Sequence, residues 1–264
     1  MSDFLAHHIL IFDSGVGGFS IVNAIKAETD SVYFSYLVDD ALFPFGDKSK
    51  TLLLQRSQRL FKQAIALTQP DLIVIACNTA STLILPSLRQ LTSIPIIGVV
   101  PAIKPAAELS QSRKIGLLAT QSTLNNSYIT QLKNQFAQDC QLIKFDAQPL
   151  VTLCEKYFLT GDNINNELEH WIASLKEKET DINILGCTHF PLIKQQLEAY
   201  WPRPVKWIDS GIAIAERTKF LLAKKQILLN TQAQLLFTQP QVNRSLFNKL
   251  NAIGIQHYQQ LKCE

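Results

Sequence analysis

The stretch Ile182-Asn183-Ile184-Leu185-Gly186-Cys187-Thr188-His189 decides the fold and points to the chemistry of this chain. An apolar run stops at a glycine, and a thiol, a hydroxyl and an imidazole follow in successive positions. The same arrangement occurs 110 positions earlier, where residues 72–76 lead into Cys77-Asn78-Thr79. Short apolar runs bounded by turn residues are typical of buried strands in parallel sheets. We therefore predict that both cysteines lie at strand ends.

Strands and helices alternate along the rest of the chain. Apolar runs predict strands at 8–12, 31–38, 72–76, 94–100, 114–119, 140–146, 182–185 and 205–208. Helices are predicted from the glycine turn after Asp13 to about 26, over 51–67, from 79 or 80 with a kink or break at Pro86, and over 126–136, 149–157, 165–176 and 211–222. This alternation predicts an α/β fold with mostly parallel sheets flanked by helices.

The order of elements occurs twice. Asp13 precedes Cys77 by 64 positions, and Thr120 precedes Cys187 by 67. Two similar α/β domains explain this repetition most simply. We expect the first domain to comprise residues 1–98 and 209–264 with Cys77, and the second to comprise residues 99–208 with Cys187.

Composition favours an ordinary globular protein. Of the 264 residues, 47% are hydrophobic and 18% are charged, and the net charge is +3. No dense run of Lys and Arg alternates with aromatics, which argues against nucleic acid as the main partner. Neither a signal peptide nor an apolar run long enough to span a membrane is present, so we expect a cytoplasmic protein with a small polar ligand.

The five cysteines are widely spaced and form no C-x-x-C pair. This pattern fits reduced thiols better than a disulfide framework or a zinc knuckle. Cys140, Cys154 and Cys263 have no distinctive neighbours and are interpreted as structural.

Polar residues converge where a parallel sheet binds its ligands, beyond the carboxyl ends of the strands. These ends carry Asp13-Ser14, Phe45-Gly46, Cys77-Asn78-Thr79, Thr120 to Thr123 and Cys187-Thr188-His189. Asn78, Thr79 and Thr188 are predicted at helix starts, where free backbone N–H groups favour an anion. The pattern indicates a small anionic substrate.

Both cysteines are also predicted near helix N-termini, which favour the thiolate. Asp13 is expected near Cys77, and His189 and Glu155 are expected near Cys187, as groups that accept or hold a proton. Two such thiols suit the inversion of a carbon with one acidic hydrogen, because one base removes a proton from one face and the other acid delivers a proton to the opposite face.

Other interpretations compete with this one. A nucleophilic Cys187 with His189 would suit an amidase or protease, but no second polar residue clearly orients the base. A zinc site is not favoured, because Cys77, Cys187 and His189 lack the spacing of metal ligands. In a dinucleotide site Ser20 would replace the third glycine, and Asp13 would repel pyrophosphate. A non-catalytic amino-acid-binding protein remains open.

Five motifs together resemble the glutamate racemase family and cover nearly the whole chain. They are Phe12-Asp13-Ser14-Gly15-Val16-Gly17-Gly18, Pro44-Phe45-Gly46 with Lys48-Ser49, Ala76-Cys77-Asn78-Thr79-Ala80-Ser81, Gly186-Cys187-Thr188-His189-Phe190-Pro191-Leu192 and Ile208-Asp209-Ser210-Gly211. The related aspartate racemases typically have Glu after the second Cys-Thr, so His189 favours glutamate.

The resemblance implies an enzyme that makes D-glutamate for peptidoglycan without a cofactor or metal. It implies two pseudo-symmetric domains with the active site in the cleft between them, commonly in a homodimer. Cys187 would take the proton of L-glutamate, and Cys77 that of D-glutamate. Asp13, His189 and, more weakly, Glu155 would assist the two thiols.

The same resemblance assigns substrate binding to a set of polar and loop residues. The set comprises Asp13, Ser14, Phe45, Gly46, Asn78, Thr79, Thr188 and His189. Phe45 departs from the family pattern, which usually has Tyr there. Only 12 residues precede Asp13, so the long N-terminal extension with which some members bind a peptidoglycan-precursor activator is expected to be absent.

Overall fold

The structure, a computed structural model, describes residues 6–29, 31–175, 179–223 and 232–262. The chain folds into two compact units. Unit 1 comprises residues 1–99 and 211–264, and unit 2 comprises residues 100–210. These boundaries lie one and two residues beyond those expected from the sequence.

The elements follow one another in the order β, α, β for most of the chain. The first segment contains β1 His7–Asp13, α1 Gly18–Glu28, β2 Val32–Val38, α2 Lys50–Thr68, β3 Leu72–Ile75, α3 Asn78–Leu88 and β4 Ile96–Gly98. Unit 2 contains α4 Ile103–Leu109, β5 Lys114–Ala119, α5 Gln121–Leu124, α6 Ser127–Phe136, β6 Gln141–Asp146, α7 Gln148–Thr160, α8 Asn165–Ala173, β7 Ile182–Leu185, α9 Lys194–Tyr200 and β8 Lys206–Ile208. The last segment returns to unit 1 with α10 Gly211–Leu222, β9 Gln234–Phe237, α11 Arg244–Asn251 and β10 His257–Gln260.

Each unit has one parallel sheet within the described residues. The strand order is β10-β9-β2-β1-β3-β4 in unit 1 and β6-β5-β7-β8 in unit 2, and every strand pairing in both sheets is parallel. The predicted α/β class with mostly parallel sheets is therefore confirmed. No helix within the described ranges is long and apolar enough to cross a membrane.

The two sheets share one topology. In unit 1 the chain places β2 on one side of β1 and β3 on the other, and in unit 2 it places β6 and β7 on the two sides of β5. A crevice forms beyond the strand ends where the strand order reverses in this way. Cys77 follows β3 and Cys187 follows β7, so the two cysteines occupy equivalent positions beside the two crevices.

The longest described helix shows how the apolar pattern builds the core of unit 1. The Ser49 hydroxyl caps α2 by accepting a hydrogen bond from the Leu52 N–H at 3.3 Å. Leu53, Leu60 and Phe61 recur at helical spacing and are fully buried. The predicted helix over 51–67 is thus confirmed, and its apolar stripe packs in the core that also holds Phe45.

Some sequence predictions need correction. The strand predicted at 94–100 is confined to Ile96–Gly98. Pro86 does not break α3, which continues to Leu88. No strand was expected at β10, because its four residues are all exposed and show no apolar alternation. The predicted helix over 165–176 is observed over Asn165–Ala173, and residue 176 lies outside the described residues.

A buried histidine makes unit 1 sensitive to acid. His8 stacks on Tyr33 with ring centroids 4.4 Å apart, and its Nε2 lies 2.8 Å from the Ser35 hydroxyl. Burial lowers the pKa of His8 to about 4, although a hydrogen bond with the Thr68 carbonyl and the charge of Asp71 both raise it. The folded state therefore favours neutral imidazole.

We expect the free energy of unfolding to fall as the pH drops from about 6.5, the usual histidine pKa in an unfolded chain, toward 4. The unfolded chain binds a proton in this range that folded His8 does not bind. The loss is on the order of 3 kcal/mol, from 1.36 kcal/mol per pKa unit. Urea unfolding at pH 7 and pH 4.5 measures it.

The His8→Asn variant should lose less stability between these two pH values than the native protein does. The matched change at His257, which is exposed on β10, should leave the pH dependence as it is. Equal pH dependence in the native protein and in His8→Asn would contradict the account of His8.

Candidate active site

The candidate site residues of unit 1 lie at the carboxyl ends of β1 and β3. Asp13 is fully buried at the end of β1, and its Oδ1 accepts the Gly15 N–H at 3.0 Å. Ser14 Oγ lies 4.0 Å from Cys77 Sγ. Ala76 N–H donates to the Phe12 carbonyl at 2.8 Å, which ties the approach to Cys77 to the strand that carries Asp13.

Cys77 begins a helix, as predicted. It is the N-cap residue of α3, and its carbonyl accepts the first helical hydrogen bond, from the Ser81 N–H at 2.9 Å. Asn78 and Thr79 form the first turn and are buried. Their backbone N–H groups lie at the positive end of the helix dipole, where an anion binds favourably.

A buried tyrosine holds the glycine turn after Asp13. The Tyr36 hydroxyl donates to the Gly15 carbonyl at 2.7 Å. A Cβ at Gly18 would lie 2.5 Å from that hydroxyl oxygen, so a larger residue would displace Tyr36. Glycine at position 18 thus allows the close approach of Tyr36 that fixes the turn beside Asp13. This packing accounts for the glycine without a dinucleotide-binding function.

The loop between β2 and α2 carries Phe45 and Gly46. Phe45 is 1% exposed and packs against Phe12 with ring centroids 6.0 Å apart. Its ring is part of the hydrophobic core, and the turn Phe45–Asp47 contacts α3. The side chain of Phe45 therefore supports the turn from inside, and Gly46 offers its backbone beside α3.

We expect Phe45→Tyr to leave the Michaelis constant for substrate within about twofold of the native value, because a ring buried in the core makes no contact that differs with substrate. Steady-state kinetics measures the Michaelis constant. A fall of tenfold or more would show that a phenol at this position reaches the substrate.

The candidate site residues of unit 2 lie at the end of β7. Gly186 N–H donates to the Leu118 carbonyl at 2.8 Å, and a Cβ on Gly186 would lie 2.8 Å from that same oxygen. Only glycine allows this approach of backbone to backbone. It places Cys187, Thr188 and His189 directly beyond the sheet, and all three are buried.

The prediction that Cys187 and Thr188 begin a helix is wrong. A single 3₁₀ turn, Phe190–Ile193, follows them, and α9 begins only at Lys194. The Phe190 N–H bonds to the Cys187 carbonyl at 3.1 Å. Pro191 has no N–H with which to make the α-helical bond to that carbonyl, so the tighter turn forms instead.

Side chains rather than a helix dipole therefore surround Cys187. His189 Nδ1 lies 3.7 Å from Cys187 Sγ, and His189 Nε2 lies 2.8 Å from Glu155 Oε2. The expectation that no second polar residue orients His189 is thus wrong, because Glu155 on α7 does so. Glu155 reaches the thiol through the imidazole.

The charge state of His189 follows from these contacts. Burial lowers the pKa of His189, but hydrogen bonds with Cys187 and Glu155 and the negative charges of both groups outweigh burial and hold the pKa well above its usual value. At neutral pH the ring is an imidazolium that donates to both partners. A cation 3.7 Å from the sulfur stabilises negative charge there.

Cys154 lies one residue before Glu155 and is fully buried. Burial, and then the negative charges of Cys187 and Glu155, raise the pKa of Cys154 well above its usual value. Cys154 is therefore a neutral thiol that packs behind the site. Cys263 lies outside the described residues.

Thr120 and Thr123 follow β5, the strand that pairs with β7 in the sheet of unit 2. Thr120 caps α5, and the two hydroxyls lie 3.1 Å apart. Within the described ranges no three His, Cys, Asp or Glu side chains gather in a way that could hold a metal ion.

Comparison with known proteins shows which family this chain resembles. The family model for Asp/Glu/hydantoin racemases matches residues 20–218. The glutamate racemase of Shewanella loihica is 41% identical over 250 residues, which cover 95% of this chain and 94% of that protein. The glutamate racemase of Shewanella denitrificans is 44% identical over 214 residues, which cover 81% of this chain and 77% of that protein.

A solved structure agrees with these relatives. Escherichia coli glutamate racemase, crystallised with L-glutamate and the activator UDP-MurNAc-Ala, superposes with a TM-score of 0.92 at 34% identity and covers 98% of this chain and 99% of that one. The chain therefore belongs to the Asp/Glu/hydantoin racemase family and is an amino-acid racemase. Within that family it belongs to the glutamate racemases.

Proposed function

We propose that this enzyme interconverts L- and D-glutamate with two cysteine thiols, one of which removes the alpha proton while the other delivers a different proton to the opposite face. The equivalent position of Cys77 and Cys187 carries this proposal. Each follows the corresponding strand of its sheet, and each is buried among polar side chains at the carboxyl end. One such group for each face suits a reaction that treats mirror-image substrates alike.

In the direction from L to D, the Cys187 thiolate removes the alpha proton. The Cα–H bond breaks, an S–H bond forms at Cys187, and the electron pair remains on the alpha carbon and its carboxylate. The S–H bond of Cys77 then breaks and delivers its proton to the opposite face. Cys77 is left as the thiolate, which is the state required for the reverse direction.

The neighbouring groups handle charge during this transfer. The His189 imidazolium, held by Glu155, stabilises the Cys187 thiolate before reaction. Ser14 lies against Cys77 and is proposed to accompany Asp13 in assisting that thiol. No cofactor is needed for a proton transfer of this kind.

Backbone and side-chain groups near the two thiols are proposed to hold the substrate. The N–H groups of Asn78 and Thr79 at the start of α3 suit a carboxylate. Ser14, Gly46 and Thr188 are proposed to complete the contacts to the carboxylates and the ammonium group of the substrate. Asp13 and His189 are proposed to lie next to these same substrate groups.

Circular dichroism tests the reaction directly. Starting from either pure enantiomer of glutamate, the signal should decay to zero, since the equilibrium constant between enantiomers is one. The same assay with aspartate distinguishes the alternative substrate. Turnover of aspartate at a higher kcat/KM than glutamate would overturn the assignment. A circular dichroism signal that persists with both amino acids would favour a binding protein without activity.

We further propose that the product serves peptidoglycan synthesis in the cytoplasm, where the thiols stay reduced, and that the enzyme acts as a homodimer. A strain lacking its own glutamate racemase should grow without added D-glutamate when it expresses this chain. Analytical ultracentrifugation measures the oligomeric state.

A further inference from the structure

A buried ion pair closes the loop that carries Phe45 and Gly46. Asp39 follows β2 and is fully buried, and Arg56 on α2 grips its carboxylate with Nε at 2.7 Å from Oδ2 and Nη2 at 2.8 Å from Oδ1. Asp39 is the first residue of the loop, and Arg56 lies in the second turn of α2, the helix that follows the loop. The planar guanidinium therefore fixes both the distance and the orientation between the start of the loop and α2.

Thr238 joins a third element to this pair. Thr238, directly after β9, donates its hydroxyl to Asp39 Oδ1 at 2.8 Å, and the same hydroxyl accepts the Ala41 N–H at 3.0 Å. Its own backbone N–H donates to Asp40 Oδ1 at 2.9 Å. The start of the loop is thus held from the C-terminal segment of the chain as well as from α2.

This polar cluster, which we call the Asp39 clamp (Asp39, Arg56 and Thr238), is directly connected to the residues around Cys77. The Asp39 N–H donates to the Asp13 carbonyl at 3.1 Å. The turn that includes Phe45 and Gly46 lies within the clamped loop and contacts α3, the helix that begins after Cys77. The clamp is therefore linked both to the strand that carries Asp13 and to the turn that packs on α3.

The Asp39 clamp contributes to the geometry of the loop rather than to the stability of the fold. A buried ion pair gains little net stability, since the desolvation of both charges offsets their attraction, and such pairs serve best to fix a unique arrangement. Arg56 is 18% exposed and Asp39 is not exposed at all. The clamp lies beside the site but supplies none of the proposed substrate contacts.

We propose that Asp39, Arg56 and Thr238 are positioning residues, which hold the turn at Phe45 and Gly46 in place for substrate binding. This inference rests on the proposed function. The clamp acts through the turn and through the Asp13 backbone, so its loss raises the Michaelis constant for glutamate more than it lowers kcat.

The variant Thr238→Val tests the clamp with the least disturbance, because valine keeps the shape of threonine and removes only the hydroxyl. We expect the Michaelis constant for both enantiomers to rise about tenfold and kcat to stay within about threefold of the native value. This is the result expected when a contact is lost that binds the ground state and the transition state equally well. Thr238→Ser keeps the hydroxyl and should restore the native Michaelis constant. Arg56→Ala should lower kcat/KM by about 10²-fold, in line with a displacement of about 1 Å at a binding group.

Two matched variants separate positioning from general destabilisation. Thr218 is a buried threonine of the same unit whose hydroxyl has no hydrogen-bond partner within the described residues, so Thr218→Val should keep native kinetics. Arg113 lies directly before β5 and pairs with Asp139. Both residues lie at the amino end of the sheet of unit 2, whereas Cys187 lies at its carboxyl end. Arg113→Ala should therefore lower the melting temperature without changing the Michaelis constant.

Native Michaelis constants for Thr238→Val and Arg56→Ala, measured well below their melting temperatures, would overturn the positioning role. A rise in Thr238→Ser equal to that in Thr238→Val would also overturn it, because the hydroxyl would then be irrelevant. If Arg56→Ala does not fold, the comparison of valine and serine at position 238 decides. Failure of the native enzyme to turn over glutamate would instead contradict the proposed function.

Discussion

Cys77→Ala abolishes the conversion of L- to D-glutamate but leaves a slow exchange of the alpha hydrogen of L-glutamate with solvent. Cys187 can still remove that proton, and its thiol then exchanges with water before it returns a hydrogen to the same face. Conversion falls by on the order of 10³-fold or more, since one positioned acid or base contributes about 10²–10⁴-fold. Chiral chromatography with mass spectrometry in deuterated buffer measures both processes.

Cys187→Ala shows the reciprocal behaviour. Exchange is confined to D-glutamate, and interconversion is again lost. Cys140→Ala is the matched control, because Cys140 is a buried thiol at the amino end of β6, and this variant keeps native turnover. Interconversion by either alanine variant within tenfold of the native rate would contradict the assignment of two bases.

The second large effect concerns the charge held beside Cys187. His189→Asn removes the cation and should slow turnover by about 10²-fold or more, within the range of a positioned acid or base. Glu155→Gln keeps the shape of the side chain and removes its negative charge. One of the groups that raise the pKa of His189 is then lost, so the pKa of His189 falls.

The sign of the pH effect follows. Below the pKa of His189 the imidazolium accompanies the thiolate, and above that pKa the cation is lost. Glu155→Gln should therefore move the alkaline limb of the kcat/KM profile to lower pH and slow turnover most at the alkaline end. Glu167→Gln on the neighbouring helix α8 is the control and should leave the profile in place. An unchanged alkaline limb in Glu155→Gln would contradict the proposed role of Glu155.

The sequence predicted the architecture well because buried parallel strands have a strong signature. The apolar runs before Asp13, Cys77 and Cys187 are short and bounded by turn residues, with one polar interruption at Asn183, and the structure places each in the interior of a sheet. The exposed strand His257–Gln260 lacks that signature, because its residues lie at the edge of the described sheet and show no apolar alternation.

The environment of Cys187 could be predicted only in part. A spacing of two positions brought His189 to the thiol, and this part needed no tertiary information. The effect of Pro191 on the following turn was readable from the sequence but was missed. Glu155 lies 34 positions from His189, and only the packing of α7 beside the end of β7 brings its carboxylate within 2.8 Å of the ring.

The Asp39 clamp shows a further limit. Asp39 and Thr238 are 199 positions apart, and no local pattern connects them. Asp39 comes directly after the strand that follows the glycine turn, a place where dinucleotide sites carry an acidic residue. In the folded chain its carboxylate is occupied by Arg56 and Thr238, which explains an acidic residue after β2 without any dinucleotide.

One measurement tests the two-base account most directly. The native enzyme converts L-glutamate in deuterated buffer, and the reaction is stopped when a few per cent of product has formed. With two bases, the D-glutamate carries deuterium at the alpha carbon, while the remaining L-glutamate carries none. Product that retains the original hydrogen, or deuterium that enters L-glutamate as fast as it enters the product, would show that a single base serves both faces.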